Sequence, residues 1–203
     1  MPCIPETVLA ELIRRRRTIA PKHFSEETPD HALVAKCIDI ARNAPNHHRT
    51  EPCRFYLLDE ERIREVGRQF GEVAKGANPT SESIAKGERK TKEWGSAPGL
   101  LVVTQYTPRD STLVKNKPEV VKEDYATCSC IVQNLLLLLE NAGIATKWST
   151  GAVWEHPGFR LTVGIPNEAP DEEVVALLFY GKYEGDPAVR DLSPLGEAMV
   201  NYR

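Results

Sequence analysis

The segment from Asp124 to Gly143 constrains the fold of this chain more than any other stretch. It is predicted to form one helix of about 20 residues, roughly 30 Å long. Its second half carries five consecutive leucines at 135–139. A surface helix has an apolar stripe on one side only, whereas five leucines in a row cover every side. We therefore expect a helix that is buried nearly all round, ends at Gly143 and is a candidate for contact with a second subunit.

The chain as a whole is predicted to form a single domain spanning residues 1–203, because it contains no internal repeat or clear linker. The net charge of −3 argues against a general nucleic-acid-binding protein, which needs a basic surface. The N-terminus lacks the basic and apolar regions of a signal peptide, and no segment is long and apolar enough to span a membrane. We therefore expect a cytoplasmic protein whose five scattered cysteines are free thiols.

A run of four arginines, Arg14 to Arg17, ends the first predicted helix, which spans Glu6 to Arg17. The inward stripe of that helix is predicted to consist of Val8, Leu9, Leu12 and Ile13. If this stripe continues, Arg16 and Arg17 also turn inward, where each guanidinium needs an anion or a hydrogen-bonded partner. The alternative is a solvated helix end, because the helix dipole favours basic side chains there.

The second predicted helix leads into a polar loop that is rich in hydrogen-bond donors. Thr28 is predicted to cap this helix, with Pro29 at its first position, and the helix should stop before Pro45. Its apolar stripe comprises Leu33, Val34, Cys37, Ile38 and Ala41, and the loop donors are Asn43, Asn46, His47, His48 and Arg49. The loop is predicted to bind an anion or an aromatic ring.

A metal site is not expected in this chain. The adjacent histidines at 47 and 48 could suggest one, but no nearby residue has the spacing of a further ligand. Cys128 and Cys130 stand two apart, so on a helix they point in different directions. Packing in the core or at an interface is the better interpretation of these two cysteines.

The rest of the sequence predicts buried strands that alternate with helices. Strands are predicted at Arg54–Asp59, Leu100–Gln105, Thr146–Thr150 and Val174–Gly181, and helices at Glu60–Gly71 and Glu155–Val163. Segment 78–94 is predicted to be a surface helix or a mobile lid, and segment 106–122 a loop. This pattern indicates an α+β domain with a central sheet flanked by helices. The motifs GxGxxG and GxxxxGKS/T are absent, which argues against a Rossmann site or a P-loop.

Four segments occur in an order that resembles the FMN-dependent nitroreductase family. The first is the arginine-rich helix end followed by Thr18, and the second is ARNAPNHHRTEPCRF at 41–55. The third is NAGIATKWSTG at 141–151, and the fourth is VVALLFYGKYEGDP at 174–187. The resemblance extends from about Leu9 to Tyr202 and is closest to the short bacterial NAD(P)H nitroreductases.

This resemblance implies an α+β fold with a mostly antiparallel central sheet and an intertwined homodimer. The long central helix would pack at the subunit interface, and the tail at 182–203 would wrap over the partner. One FMN would be held without covalent attachment at each interface site. The implied reaction is ping-pong transfer from NAD(P)H through FMN to a nitroaromatic, a quinone or a similar acceptor, without a side-chain nucleophile or base. The alternatives are a flavin-binding protein without turnover, or divergent chemistry such as reductive dehalogenation.

The resemblance also assigns residues to the cofactor. Arg16, Arg17 and Thr18 would bind the FMN phosphate and ribityl hydroxyls, since arginine suits bidentate phosphate contacts. Asn43 and His47 would approach the flavin from the other subunit. The segment that would run past the flavin ring comprises Trp148, Ser149, Thr150 and Gly151.

Further assignments concern the nicotinamide and the departures from the family pattern. The nicotinamide would be bordered by Leu138, Leu139, Glu140, Asn141, Ala142 and Gly143. Lys182 and Arg190 would supply a further phosphate contact. Arg49 brings a cation where an amide is common, and it could pair with the phosphate, with Glu51 or with an acidic substrate. Cys53 replaces a large aromatic residue, which leaves extra room or a different packing.

Overall fold

The fold is an α+β arrangement built on one four-stranded sheet in which every pairing is antiparallel. The computed structural model describes residues 7–186, 188, 190 and 192. The strands are β1 (Cys53–Leu58), β2 (Gly99–Tyr106), β3 (Ala145–Ser149) and β4 (Glu172–Gly181), in the spatial order β1-β2-β4-β3. All four predicted strands are confirmed to within two residues at each end.

The helices cover both faces of this sheet. They are α1 (Val8–Arg15), α2 (His31–Ala41), α3 (Glu60–Lys75), α4 (Ser81–Gly95), α5 (Thr112–Asn116), α6 (Val120–Asn141) and α7 (Phe159–Val163). Short 3-10 turns lie at Pro21–His23, His47–Arg49 and Ala152–Glu155. Among the described residues, no helix combines the length and apolar character needed to cross a membrane.

The alternation of side chains along the central strands separates two cores. On β2, Leu101 and Val103 pack with α2 and α6, whereas Leu100 and Val102 pack on the opposite face with α3, α4 and α7. Successive side chains of a strand point to opposite faces, so a strand buried on both faces is apolar throughout. The continuous apolar run at 100–103 is therefore the direct consequence of its central place in the sheet.

Helix α6 confirms the predicted central helix, with one correction to its burial. It begins at Val120, four residues before the predicted start, and Gly143 adopts the left-handed conformation with φ +73° just past its end. Leu135, Leu136 and Leu139 are buried, whereas Leu137 and Leu138 remain partly exposed. The described part of one chain therefore covers only one side of the leucine run.

Helix α1 departs from the prediction in both its end and its orientation. It ends at Arg15, and Arg16 has a non-helical backbone with ψ 128°. Val8, Leu9 and Ile13 are 72%, 56% and 54% exposed, so the predicted inward stripe is wrong. The apolar pattern correctly indicates one face of a helix, but periodicity does not show whether the same chain buries that face.

Helix boundaries also differ from expectation near prolines and caps. Asp30, not Thr28, caps α2, because its carboxylate accepts the Ala32 N–H at 2.8 Å. The helix predicted at 155–163 is divided into a 3-10 turn and α7, because His156 precedes Pro157 and takes the extended backbone that prolines impose. The segment 106–122, predicted to be a loop, contains α5 and the first turn of α6.

Segment 78–94 contains most of a surface helix, α4, which packs closely against α3. A Cβ atom built on Gly67 would lie 2.4 Å from the Cα of Gly95, so the two backbones touch where the side chains are absent. Trp94 is 5% exposed and stacks on Phe70 of α3 with ring centroids 4.6 Å apart. The predicted wrapping tail at 182–203 lies largely outside the described residues.

Candidate functional site

Backbone pairing brings the arginine segment beside strand β3. Thr18 forms an isolated parallel bridge with Thr146, and the Ile19 N–H donates to the Thr146 carbonyl at 3.0 Å. Strand β3 ends with Trp148 and Ser149 and leads directly into Thr150 and Gly151. Two segments that the sequence analysis assigned to one cofactor are therefore neighbours in a single chain. They meet through strand pairing, not through the helical stripe from which Arg16 and Arg17 were predicted to turn inward.

The guanidinium groups here outnumber the carboxylates. Burial lowers the pKa of Arg16 from its usual value, the charge of Glu140 opposes this shift, and Arg17 and Arg190 add to it. The Nε of Arg15, which is more exposed, lies 3.2 Å from Glu140 Oε1. This carboxylate is thus shared among several cations. A local surplus of positive charge that is partly withdrawn from water favours an anion.

Arg17 is held in place by backbone carbonyls. Its Nε donates to the carbonyl of Ala188 at 2.8 Å, and its Nη1 donates to the carbonyls of Arg16, at 3.0 Å, and Arg14. These neutral acceptors orient the side chain without cancelling its charge. Arg17 therefore contributes a fixed positive charge next to Arg16.

The end of β3 carries a buried polar group that lacks a partner. The indole Nε1 of Trp148 is buried and has no hydrogen-bond partner among the described residues. Gly151 has φ 140° and ψ −173°, a conformation that side chains oppose. A buried donor without an acceptor is costly, so a ligand acceptor at this point would stabilise the site. Ser149 is buried, whereas Thr150 is exposed.

His47 lies at the other end of α6. Asn43, by contrast, follows α2, whose Ala41 carbonyl accepts from Asn134 in the second half of α6. The Asn43 side chain donates to the Ile40 carbonyl at 3.0 Å, and His47 Nδ1 lies 3.3 Å from Glu123 Oε2. Glu123 and Glu140 stand 17 positions apart, about 26 Å along the helix. One chain therefore does not bring His47 together with the arginine segment.

The loop that carries His47 is strained and firmly anchored. His48, Arg49 and Glu51 have positive φ angles of 61°, 53° and 46°, which are unusual for residues with a side chain. Such a backbone persists only where surrounding contacts impose it. The sequence analysis had no signal for this strain, since none of the three residues is glycine.

A buried carboxylate supplies the anchor. Asp124 is 1% exposed and accepts hydrogen bonds from the hydroxyls of Thr50 and Thr107, the latter at 2.7 Å. The Thr50 N–H also donates to Asn46 Oδ1 at 3.0 Å. The loop is thereby tied to α6 and to the residue that follows β2. Sequence reasoning missed Asp124, because its partners are distant in the chain.

The remaining assigned residues are placed as follows. Leu139 is fully buried in the core of the single chain, and its place at the border of a nicotinamide site stays a prediction. Glu140 is paired with Arg15, while Asn141, Ala142 and Gly143 are exposed. Lys182 pairs with Glu27, and Glu51 pairs with Arg42 at 3.2 Å instead of with Arg49. Leu138 is partly exposed at the surface of α6.

The two histidines have a third titratable neighbour. Ligand atoms of His47, His48 and Glu123 all lie within 4.8 Å of one another, and the imidazole rings stack with centroids 4.2 Å apart. The sequence spacing indicated no further ligand near the histidines, because Glu123 is distant from them in the sequence. Both histidines are exposed.

Comparison with known proteins agrees with the fold and identifies the class. The chain belongs to the nitroreductase family, whose model matches residues 13–182. It is 27% identical over 197 residues to "Putative NAD(P)H nitroreductase YfhC" from Bacillus subtilis (strain 168), which covers 96% of this chain and 94% of that protein.

Solved structures share the same fold. The nitroreductase-like family protein from Bacillus cereus has a TM-score of 0.71 at 23% identity, covering 97% of both chains. A nitroreductase with bound FMN from Bacteroides fragilis has a TM-score of 0.70 at 16% identity, covering 98% of this chain and all of that one. At these identities the similarity establishes the fold alone.

Proposed function

We propose that this chain is an FMN-dependent oxidoreductase that works as a homodimer. It would transfer reducing equivalents from NAD(P)H to a nitroaromatic, a quinone or a similar acceptor in a ping-pong reaction. When bound, FMN supplies the redox chemistry of both half-reactions. The protein binds and orients the participants and tunes the charge around them.

One observation carries this proposal: the Thr18–Thr146 bridge places Arg16 and Arg17 beside the segment that contains Trp148. A group with an anionic end and a flat polar ring fits this arrangement. The guanidinium groups would hold the phosphate, because charge-assisted bidentate contacts are the strong ones. The unpartnered Nε1 of Trp148 would donate to a ring acceptor or to the ribityl chain.

The charge of this region would favour an anionic cofactor. Arg16 and Arg17 keep a positive surplus beside the start of β3, which would attract the phosphate end of the cofactor. Burial of Ser149 and of the Trp148 indole nitrogen keeps water away from the end of that strand. No side chain of the described residues is needed as a nucleophile.

A second copy of the chain would complete the site. An apolar groove of about 460 Å³ lies between α1 and the second half of α6. Its apolar lining comprises Val8, Leu9, Leu12, Ile40, Leu137 and Leu138. Exposed apolar patches of this kind mark protein interfaces. A partner seated there would bring its own His47 loop toward the arginine segment, from which the loop of the same chain is separated by the length of α6.

A visible spectrum of the purified protein tests the proposed activity. We expect flavin absorbance near ~450 nm that bleaches under argon when NADPH or NADH is added and returns with a nitroaromatic acceptor. A yellow protein that neither donor bleaches would instead indicate a flavin-binding protein without turnover. A colourless protein that takes up no added FMN would overturn the proposal.

A further inference from the structure

Two cysteines from distant parts of the sequence meet where β1, β2 and α6 converge. Cys53 begins β1 and pairs across the sheet with Gln105. Cys128 lies on α6, and its Sγ is 3.9 Å from the carbonyl of Thr104, the residue next to Gln105. Both thiols are therefore placed at the same end of the β1–β2 ladder.

The two thiols are neighbours and differ in access. Interaction with the Cys53 thiol and burial of its own sulfur both raise the pKa of Cys128, and the charge of Asp124 adds to this. Cys128 is fully buried. Cys53 is only partly buried and lines an open groove of about 590 Å³ that Arg49 and Ile131 also border. A small reagent can thus approach Cys53 but not Cys128.

This arrangement is specific to the pair. The four described cysteines are all free thiols, and the other two, Cys37 and Cys130, are buried and exposed respectively. Cys130 stands two positions from Cys128 on the same helix but faces outward. Among the described residues, Cys130 is therefore an exposed single thiol with which the reactivity of the Cys53–Cys128 pair can be compared.

We propose that Cys53 and Cys128 form a redox-active thiol pair that a peroxide converts into an intramolecular disulfide. The Cys53 thiolate attacks one peroxide oxygen, the O–O bond breaks, and Cys53 becomes a sulfenic acid as water or an alcohol leaves. The Cys128 sulfur then attacks the Cys53 sulfur, the S–O bond breaks, and its proton leaves with the hydroxide as water. Two thiols are oxidised by two electrons, and one peroxide is reduced.

The disulfide would have a structural consequence beside the proposed cofactor site. An S–S bond of about 2 Å draws the sulfur atoms closer than two thiols in contact. This would pull the start of β1 toward α6, immediately after the strained residues His48, Arg49 and Glu51. Oxidation is therefore expected to change the shape of the groove and of the loop. The inference does not depend on FMN binding.

Peptide mapping after peroxide treatment tests the pair. The full chain is reduced, desalted and treated with a small excess of hydrogen peroxide, and the remaining thiols are then alkylated in denaturant. We expect a non-reduced peptide that links Cys53 to Cys128, loss of both alkylation sites, and full reversal by dithiothreitol. In Cys130→Ser the link should form unchanged. In Cys53→Ser it should be absent.

Cys128→Ala provides a second test if Cys53→Ser folds poorly. In Cys128→Ala the sulfenic acid has no resolving thiol, so dimedone labelling of Cys53 should rise several-fold over wild type. Thermal unfolding of the reduced variants checks the fold. Full alkylation of Cys53 and Cys128 while Cys130 is oxidised would overturn the inference, and so would a link through Cys130 alone.

Discussion

The two ends of α6 carry two different kinds of site. At the C-terminal end, Arg16 and Arg17 supply positive charge, and a backbone bridge to β3 positions them. At the N-terminal end, the buried carboxylate of Asp124 holds a loop with positive φ angles. The arginines at the first end act through their charge and have negative φ angles. The loop at the second end has positive φ angles that buried hydrogen bonds maintain.

The two ends of the helix therefore depend on the fold in different ways. At the charged end, it is enough that arginines lie close to the site, because electrostatic attraction tolerates small displacements. A shaped loop needs buried partners, because strain of this kind persists only when contacts impose it. We expect substitutions at the charged end to alter binding, and substitutions at the shaped end to alter stability.

The largest expected effect concerns the apolar face beside the C-terminal half of α6. Leu9 is 56% exposed in one chain, so Leu9→Asp should leave the monomer folded. If a second copy covers this face, an unpaired buried charge costs about 3–5 kcal/mol. Analytical ultracentrifugation should then show self-association weakened by about two to four orders of magnitude. Leu161→Asp, at a leucine that is 83% exposed on α7, is the matched control and should change nothing.

At the shaped end, Asp124→Ala leaves the hydroxyls of Thr50 and Thr107 without their acceptor. Hydrogen bonds to a charged group are worth about 1.5–3 kcal/mol each, so loss of the two should lower the free energy of unfolding in urea by at least about 3 kcal/mol. Glu123→Ala, one position away, removes only the contact with the exposed His47 and should cost less than about 1 kcal/mol. Equal losses in the two variants would contradict the anchoring role of Asp124.

At the charged end, Arg16→Ala should weaken FMN binding with little change in stability. Loss of a charge-assisted contact of about 1.5–3 kcal/mol corresponds to a roughly 10- to 100-fold rise in Kd, measured by flavin fluorescence. Arg64→Ala is the control, because Arg64 is paired with Glu60 on α3, away from β3. Unchanged flavin affinity in Arg16→Ala would remove this residue from the site.

The sheet between the two ends gives a smaller, pH-dependent effect. Burial and the hydrogen bond to Glu172 raise the pKa of Tyr56 to about 12, above the value near 10 of an unfolded chain. The unfolded state therefore loses its proton first, so the contribution of Tyr56 is complete below pH ~10 and is lost as the pH rises toward ~12. Urea midpoints across this range should fall more steeply for wild type than for Tyr56→Phe. Parallel slopes would show that Tyr56 does not contribute.

The sequence predicts the parts of this fold that depend on local pattern. The apolar run at 100–103 is buried as predicted, and so are three of the five consecutive leucines of α6. Periodicity could not predict that Val8 and Leu9 are exposed in one chain. An apolar stripe shows which side of a helix is to be buried, but not whether the same chain or a second one buries it. The assignment of the arginine segment to the phosphate of a cofactor comes from the resemblance to a family and stays a prediction.

The shaped end could not be predicted for a different reason. Thr50 and Thr107 are distant from Asp124 in the sequence and contact it only in the folded chain, so no short sequence segment contains both partners. The contact between Cys53 and Cys128 depends on the same long-range convergence. These features follow from the register of β1 on β2 and from the position of α6 beneath them, so they appear only once the sheet is assembled.

The central claim, that each cofactor site takes one part from each of two chains, is tested most directly by subunit mixing. One variant carries Arg16→Ala and Arg17→Ala, and the other carries Asn43→Ala and His47→Ala. Each homodimer should bind FMN poorly, because both of its sites carry substitutions. In a mixed dimer, one site combines all four substitutions, and the other combines the unchanged part of each chain. The account predicts that mixing restores one FMN per mixed dimer at wild-type affinity. If the mixed dimer retains FMN no better than the two parents, both parts of the site belong to one chain and the account is wrong.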